Sequence, residues 1–145
     1  MRRVVVFAVL VPMTVLMVVA CGDDEETLTT EEFLDQGNAV CETGTTEIDA
    51  AGEELFASGD EPTPEEQTAF VEDTLAPLVQ DQIDGLEALN PPEDLQDDVD
   101  ELLAEAQATL DSITEDPASI FGEDNPFADA DAMATEIGLT ACAGS

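Results

Sequence analysis

Apolar residues recur three and four positions apart along most of this chain, and no stretch alternates convincingly with period two. The first run is Phe33, Gly37, Val40, Cys41, Gly44, Ile48, Ala51, Leu55 and Phe56. It predicts a helix starting at Thr29 or Thr30, where Thr29 and Glu32 have the spacing of a capping box, and stopping at Gly59. Gly37, Cys41 and Gly44 form a stripe of small residues, which suits close approach of another helix. A second helix is announced by Thr63-Pro64-Glu65-Glu66, with a cap, a proline at the first position and an acid three residues after the cap. Its apolar face runs from Phe70 through Val71, Leu75, Leu78, Val79, Ile83 and Leu86 to Leu89, and Pro77 should kink or break it near residues 73–77. Asn90-Pro91-Pro92-Glu93 should end this helix and cap the next. The third helix has the most regular stripe: Leu95, Val99, Leu102, Ala106, Leu110 and Ile113, widened by Leu103 and closed by Asp116-Pro117. Residues 117–126 read as a loop or short helical turn, and a fourth helix runs from Asn125-Pro126 to Ile137. Gly138 is its expected left-handed stop, with Leu139 packing back. The expected fold is all-α, a small four-helix bundle.

The N-terminal segment has a different pattern. Arg2-Arg3 is followed by an uncharged apolar run over residues 4–19 and then by Ala20-Cys21. A charged start, an apolar stretch and a small residue directly before cysteine make a lipoprotein signal. The rival reading, an uncleaved transmembrane helix, wants roughly 20 apolar residues, and this run is shorter. The expected organisation is a signal peptide at residues 1–20, an acidic tether at 21–28 beginning with acylated Cys21, and a helical domain at 29–145. Anchoring by more than one acyl chain is stable where a single chain is marginal. The expected location is the extracytoplasmic face of a bacterial cell membrane.

Charge changes the picture most. The chain has 36 Asp and Glu, no His, and two basic residues. Both basic residues are arginines of the signal, so no side-chain salt bridge can form beyond it. Such a surface repels nucleic acid and gains nothing from anionic head groups, so membrane lipid is met through Cys21 alone. On the third helix Glu93/Asp97, Asp94/Asp98, Asp97/Glu101 and Glu101/Glu105 are like-charge neighbours, each costing roughly 0.2–0.5 kcal/mol at low salt. Function in a salty medium accounts for the pattern better than local helix stability does. Folding should also bring like charges together and hold many carboxylate pKa values above their unfolded values.

Most chemistry is excluded by residue type. No His or Lys is present to activate Ser58, Ser112 or Ser119, and neither haem nor zinc has its usual ligands. No cofactor and no catalytic residue is expected. Carboxylate pairs occur by chance in so acidic a chain, and no Trp or Tyr offers a sugar a stacking face, which leaves a carboxylate hydrolase as the remotest reading. Calcium is the better chemical alternative, because oxygen ligands are the ones on offer. The densest cluster is Glu93, Asp94, Asp97, Asp98, Asp100 and Glu101, of which Asp94, Asp97, Asp98 and Glu101 are the candidate ligands. A second cluster is Glu123, Asp124, Asp129 and Asp131; neither follows a known calcium-loop pattern, and a solvated face explains both.

With Cys21 taken by lipid, Cys41 and Cys142 remain. Export to an oxidising compartment favours a disulfide between them over two separate buried thiols.

The pattern resembles small secreted lipoproteins of high-GC Gram-positive bacteria. The likeness rests on Thr29-Thr30-Glu31-Glu32-Phe33 leading to Cys41, on Leu89-Asn90-Pro91-Pro92, on Asp124-Asn125-Pro126-Phe127, and on Gly138-Leu139-Thr140-Ala141-Cys142. It implies pairing of the early and late cysteines and transfers no activity. The absence of tyrosine, and of basic residues beyond the signal, departs from that family. The expected role is structural, interaction or ligand binding on a lipid anchor.

Overall fold

The computed structural model describes residues 27–144. The expected signal peptide, Cys21 and most of the tether lie outside the described residues. Among the described residues the chain is all helical, and no helix is long and apolar enough to cross a membrane. Helix α1 is Thr30–Leu55. Helix α2 runs without interruption through Pro64–Phe70, Val71–Leu75 and Ala76–Glu87. Helix α3 is Gln96–Glu115, a 3-10 turn spans Pro117–Phe121, and helix α4 is Ala128–Ile137. Each helix packs on the next in sequence, α1 on α2, α2 on α3 and α3 on α4. Short loops give that order, because they return the chain beside the helix it has just left. A disulfide joins Cys41 on α1 to Cys142 on the C-terminal tail, with Cα atoms 4.9 Å apart.

The helix starts and stops follow local chemistry. Thr29 caps α1: its hydroxyl accepts the Glu32 N–H at 3.3 Å, and the Glu32 carboxylate accepts the Thr29 N–H at 3.1 Å and the Thr29 hydroxyl at 2.6 Å. Thr63 and Glu66 repeat the arrangement at α2. Gly138, at φ 103°, takes the left-handed position after α4. The Leu139 N–H then reaches back to the Ala134 carbonyl at 2.8 Å and the Gly138 N–H to that of Thr135 at 3.2 Å, a Schellman closure. Leu139 is fully buried beneath it.

Expectations change at four places. Pro77 does not break α2. It lacks an N–H and its ring crowds the carbonyl four residues back. The chain widens to a π turn over Val71–Leu75, where the Ala76 N–H bonds the Val71 carbonyl, and the helix continues. Asn90-Pro91-Pro92-Glu93 ends α2 but does not cap α3, which begins at Gln96 after a turn closed by the Leu95 N–H on the Pro92 carbonyl at 2.9 Å. The Asn90 carbonyl accepts the Leu28 N–H at 2.9 Å instead. Leu28, placed in the tether by the sequence pattern, thereby packs against the core and opens the domain. Likewise Asn125-Pro126 precedes α4 as a turn, with the Asn125 Oδ1 accepting the Phe127 N–H at 2.9 Å.

The core has two clusters. Phe33, Cys41, Leu86, Val99, Leu102, Ala130, Ala134 and Leu139 form one; Val71, Leu75, Ile83, Leu110 and Ile113 form the other. Leu103 and Ala106 of α3 pack against both. Both clusters with the side chains packed on them, the disulfide and the helix caps lie within residues 28–143, so the helical domain carries its own core.

Candidate functional site

The small-residue stripe brings α1 and α2 close. A methyl group on Gly85 of α2 would stand 2.8 Å from a Val40 methyl, and one on Gly44 would run into the Gln82 side chain. Gly37 faces the tail in the same way, 2.6 Å from a Leu139 methyl. On the opposite side of the bundle the inward positions are Ala106 of α3 and Ala130 and Ala134 of α4. Alanine satisfies the helical period but has little volume.

A cleft of about 470 Å³ has walls from all four helices. That is within the usual range for small-molecule sites, roughly 300–1,000 Å³. Its floor and walls are apolar: Ile48, Phe70, Val79, Ile83, Leu102, Ala106, Ile120 and Phe127 among others, with the Cys41–Cys142 disulfide on one side. Phe70 and Phe121 meet edge to face with ring centres 6.2 Å apart, which holds the 3-10 turn, and so Ile120, against α2. The rim is polar and acidic. Asp49 of α1, Glu123, Asp124 and Asn125 are exposed lining residues, and Asp131 of α4 is half-buried. The Asn125 Nδ2 donates to the Asp131 carboxylate at 2.8 Å while its Oδ1 holds the Phe127 N–H, so one side chain sets the carboxylate and the aromatic ring beside it.

The structure separates the two acidic clusters. Glu123, Asp124 and Asp131 come to the cleft; Asp129 does not line it. Asp94, Asp97, Asp98 and Glu101 are all exposed, none lines the cleft, and among the described residues no group of three or more His, Cys, Asp or Glu is arranged to hold a metal ion. Glu32 and Glu66 run against the expectation of raised carboxylate pKa values. The Thr29 hydroxyl and N–H hold Glu32 below its ordinary value, and the Thr63 N–H and hydroxyl do the same to Glu66.

The cleft lining holds no hydroxyl, free thiol, imidazole or amine. What it offers is an apolar interior with four carboxylates and two amide side chains, those of Gln82 and Asn125. Asp49 and Gln82 line the cleft and were not singled out by sequence reasoning; Asn125, read from the sequence as a helix start, lines it too. The alanines at 106, 130 and 134 also line the cleft. No protein family model, no curated protein and no solved structure matches this chain.

Proposed function

We propose that this protein is a lipid-anchored extracytoplasmic binding protein that takes a small, largely apolar ligand into the cleft between its four helices. The observation that carries this reading is the cleft itself, a space of about 470 Å³ with largely apolar walls drawn from all four helices. The Val18-Val19-Ala20-Cys21 segment supplies the anchor, and the short tether keeps the cleft within a few nanometres of the membrane surface. Seven extended residues reach at most ~25 Å. Ligands that partition into that membrane are thus within reach. The tight α1–α2 contact and the disulfide support the reading, because a rigid wall keeps a cavity open at little cost on binding.

The test uses the helical domain, residues 22–145, and the neutral fluorophore N-phenyl-1-naphthylamine. The chain has no Trp or Tyr, so the background signal is low. Saturable enhancement is expected, and Ala106→Leu with Ala130→Leu, which fills the centre, should abolish it without loss of stability. Enhancement that is absent, or that survives filling of the centre, would refute the cleft as a binding site.

A further inference from the structure

Resting on the cleft as a ligand site, we infer that its ligand is a cationic amphiphile, with an apolar body among the four helices and one positive head group at the rim. The cleft decides the first half of that statement and its rim the second. Inside, the walls are aliphatic and aromatic apart from the uncharged amide of Gln82, and no charged side chain stands there. A head group therefore has to remain where Asp49, Glu123, Asp124 and Asp131 stand. Asp49 comes from α1, while the other three come from the 122–131 segment, so the carboxylates flank the opening rather than cluster on one helix.

The sign of the head group follows from what this domain lacks. No Lys, Arg or His occurs beyond Arg3, so the rim carboxylates have no side-chain counter-ion. A fatty-acid carboxylate or a phosphate head would meet like charge and no donor cation. An ammonium head would be attracted by up to four carboxylates, three of them exposed and Asp131 half-buried. Phe127 adds an aromatic face at the same edge, and cations are drawn to such faces. Asn125 fixes both Asp131 and the backbone at Phe127, so the edge is built in advance of binding.

The strongly acidic surface as a whole also attracts cations, and the test is built to separate that field from the rim. The helical domain is titrated calorimetrically, at physiological salt and below the micellar range, with decyltrimethylammonium, 1-decanol and decanoate. The cation is expected to bind about 10-fold more tightly than the alcohol, a difference of ~1.4 kcal/mol, and decanoate weakest. Asp49→Asn with Glu123→Gln and Asp124→Asn should remove most of the cation's advantage and leave 1-decanol unchanged. Asp94→Asn with Asp97→Asn and Asp98→Asn, which removes the same charge outside the cleft, should leave both unchanged. Tetramethylammonium, the head without the body, should not bind measurably. Equal affinity for the cation and the alcohol would overturn the cationic head and leave the cleft standing. Equal loss in the two triple variants would assign the preference to the general field and overturn the rim. Binding of none of the three decyl compounds would remove the cleft reading first, and this inference with it.

Discussion

The side-chain oxygen of Asn38 accepts the backbone N–H of Ala141 at 2.8 Å, directly before the residue that forms the disulfide. The same amide donates to the carbonyls of Leu34 at 2.8 Å and Gly138 at 3.2 Å. One α1 side chain thus satisfies the chain end of α4 on both sides, and the tail is seated before Cys142 meets Cys41. Asn38→Ala leaves a part-buried N–H and carbonyl without partners and should cost about 1–3 kcal/mol in urea denaturation. Asn38→Asp keeps an acceptor for Ala141 but turns charge onto two carbonyls, and should cost at least as much.

The disulfide closes 101 residues. In the chain-entropy model its loss destabilises by up to ~4.7 kcal/mol. Because α4 packs chiefly on α3 and is held to α1 through the tail, reduction should raise hydrogen exchange over residues 128–142 before it does so in α1 or α2. Uniform loss of protection in all four helices would show that the bridge holds the whole bundle and not this edge.

The glycines of α1 separate by what faces them. Gly37→Ala places a methyl 2.6 Å from Leu139 in a fully buried contact and should cost about 1–3 kcal/mol. Gly52 has nothing within 4 Å, so Gly52→Ala should stabilise by about 0.4–1 kcal/mol through the unfolded chain. Thermal melts of the two variants should therefore move in opposite directions.

The helical periods and both capping boxes were legible because they depend on neighbours in sequence: Thr29 with Glu32, Thr63 with Glu66, and Gly138 with Leu139. What the pattern missed depends on volume and distance in space. Ala106, Ala130 and Ala134 count as apolar in any periodic reading, which does not say that they line a cleft. Asn38 is one polar residue on a mixed face, and its role exists because Gly138 and Ala141 fold back to it. Pro77 signals a defect without saying whether the helix stops or widens. Part of the acidic rim was visible as the Glu123–Asp131 cluster, but Asp49 joins it only through packing of α1.

The capping glutamates give a pH dependence with a definite sign. Glu32 and Glu66 are held below the ordinary value of 4.5, so the folded state binds fewer protons than the unfolded state in the window just below it. Their contribution is fully present above pH ~4.5 and is lost as pH falls through the depressed values. Glu32→Gln and Glu66→Gln should lower the melting temperature at neutral pH and converge with the unsubstituted protein in acid. A difference that is constant with pH would show that the caps act without the carboxylate charge.

Salt should act in the direction set by the absent cations. With 36 acids and no side-chain counter-ion, the melting temperature should rise from low to moderate sodium chloride as repulsion is screened. Calcium at matched ionic strength should add no large further shift, since among the described residues no acid group is arranged to hold a metal. A large calcium-specific shift would restore Asp94, Asp97, Asp98 and Glu101 as a candidate site.

The most direct measurement is a crystal structure of the protein extracted from its own membrane, viewed between α3 and α4. The expected result is an open cleft holding density for an elongated apolar molecule against Ala106 and Ala130, its end at Asp49, Glu123 and Asp124. The contrary result is a filled centre, with side chains of the four helices occupying the space beside Ala106 and Ala130 and no density for a bound molecule.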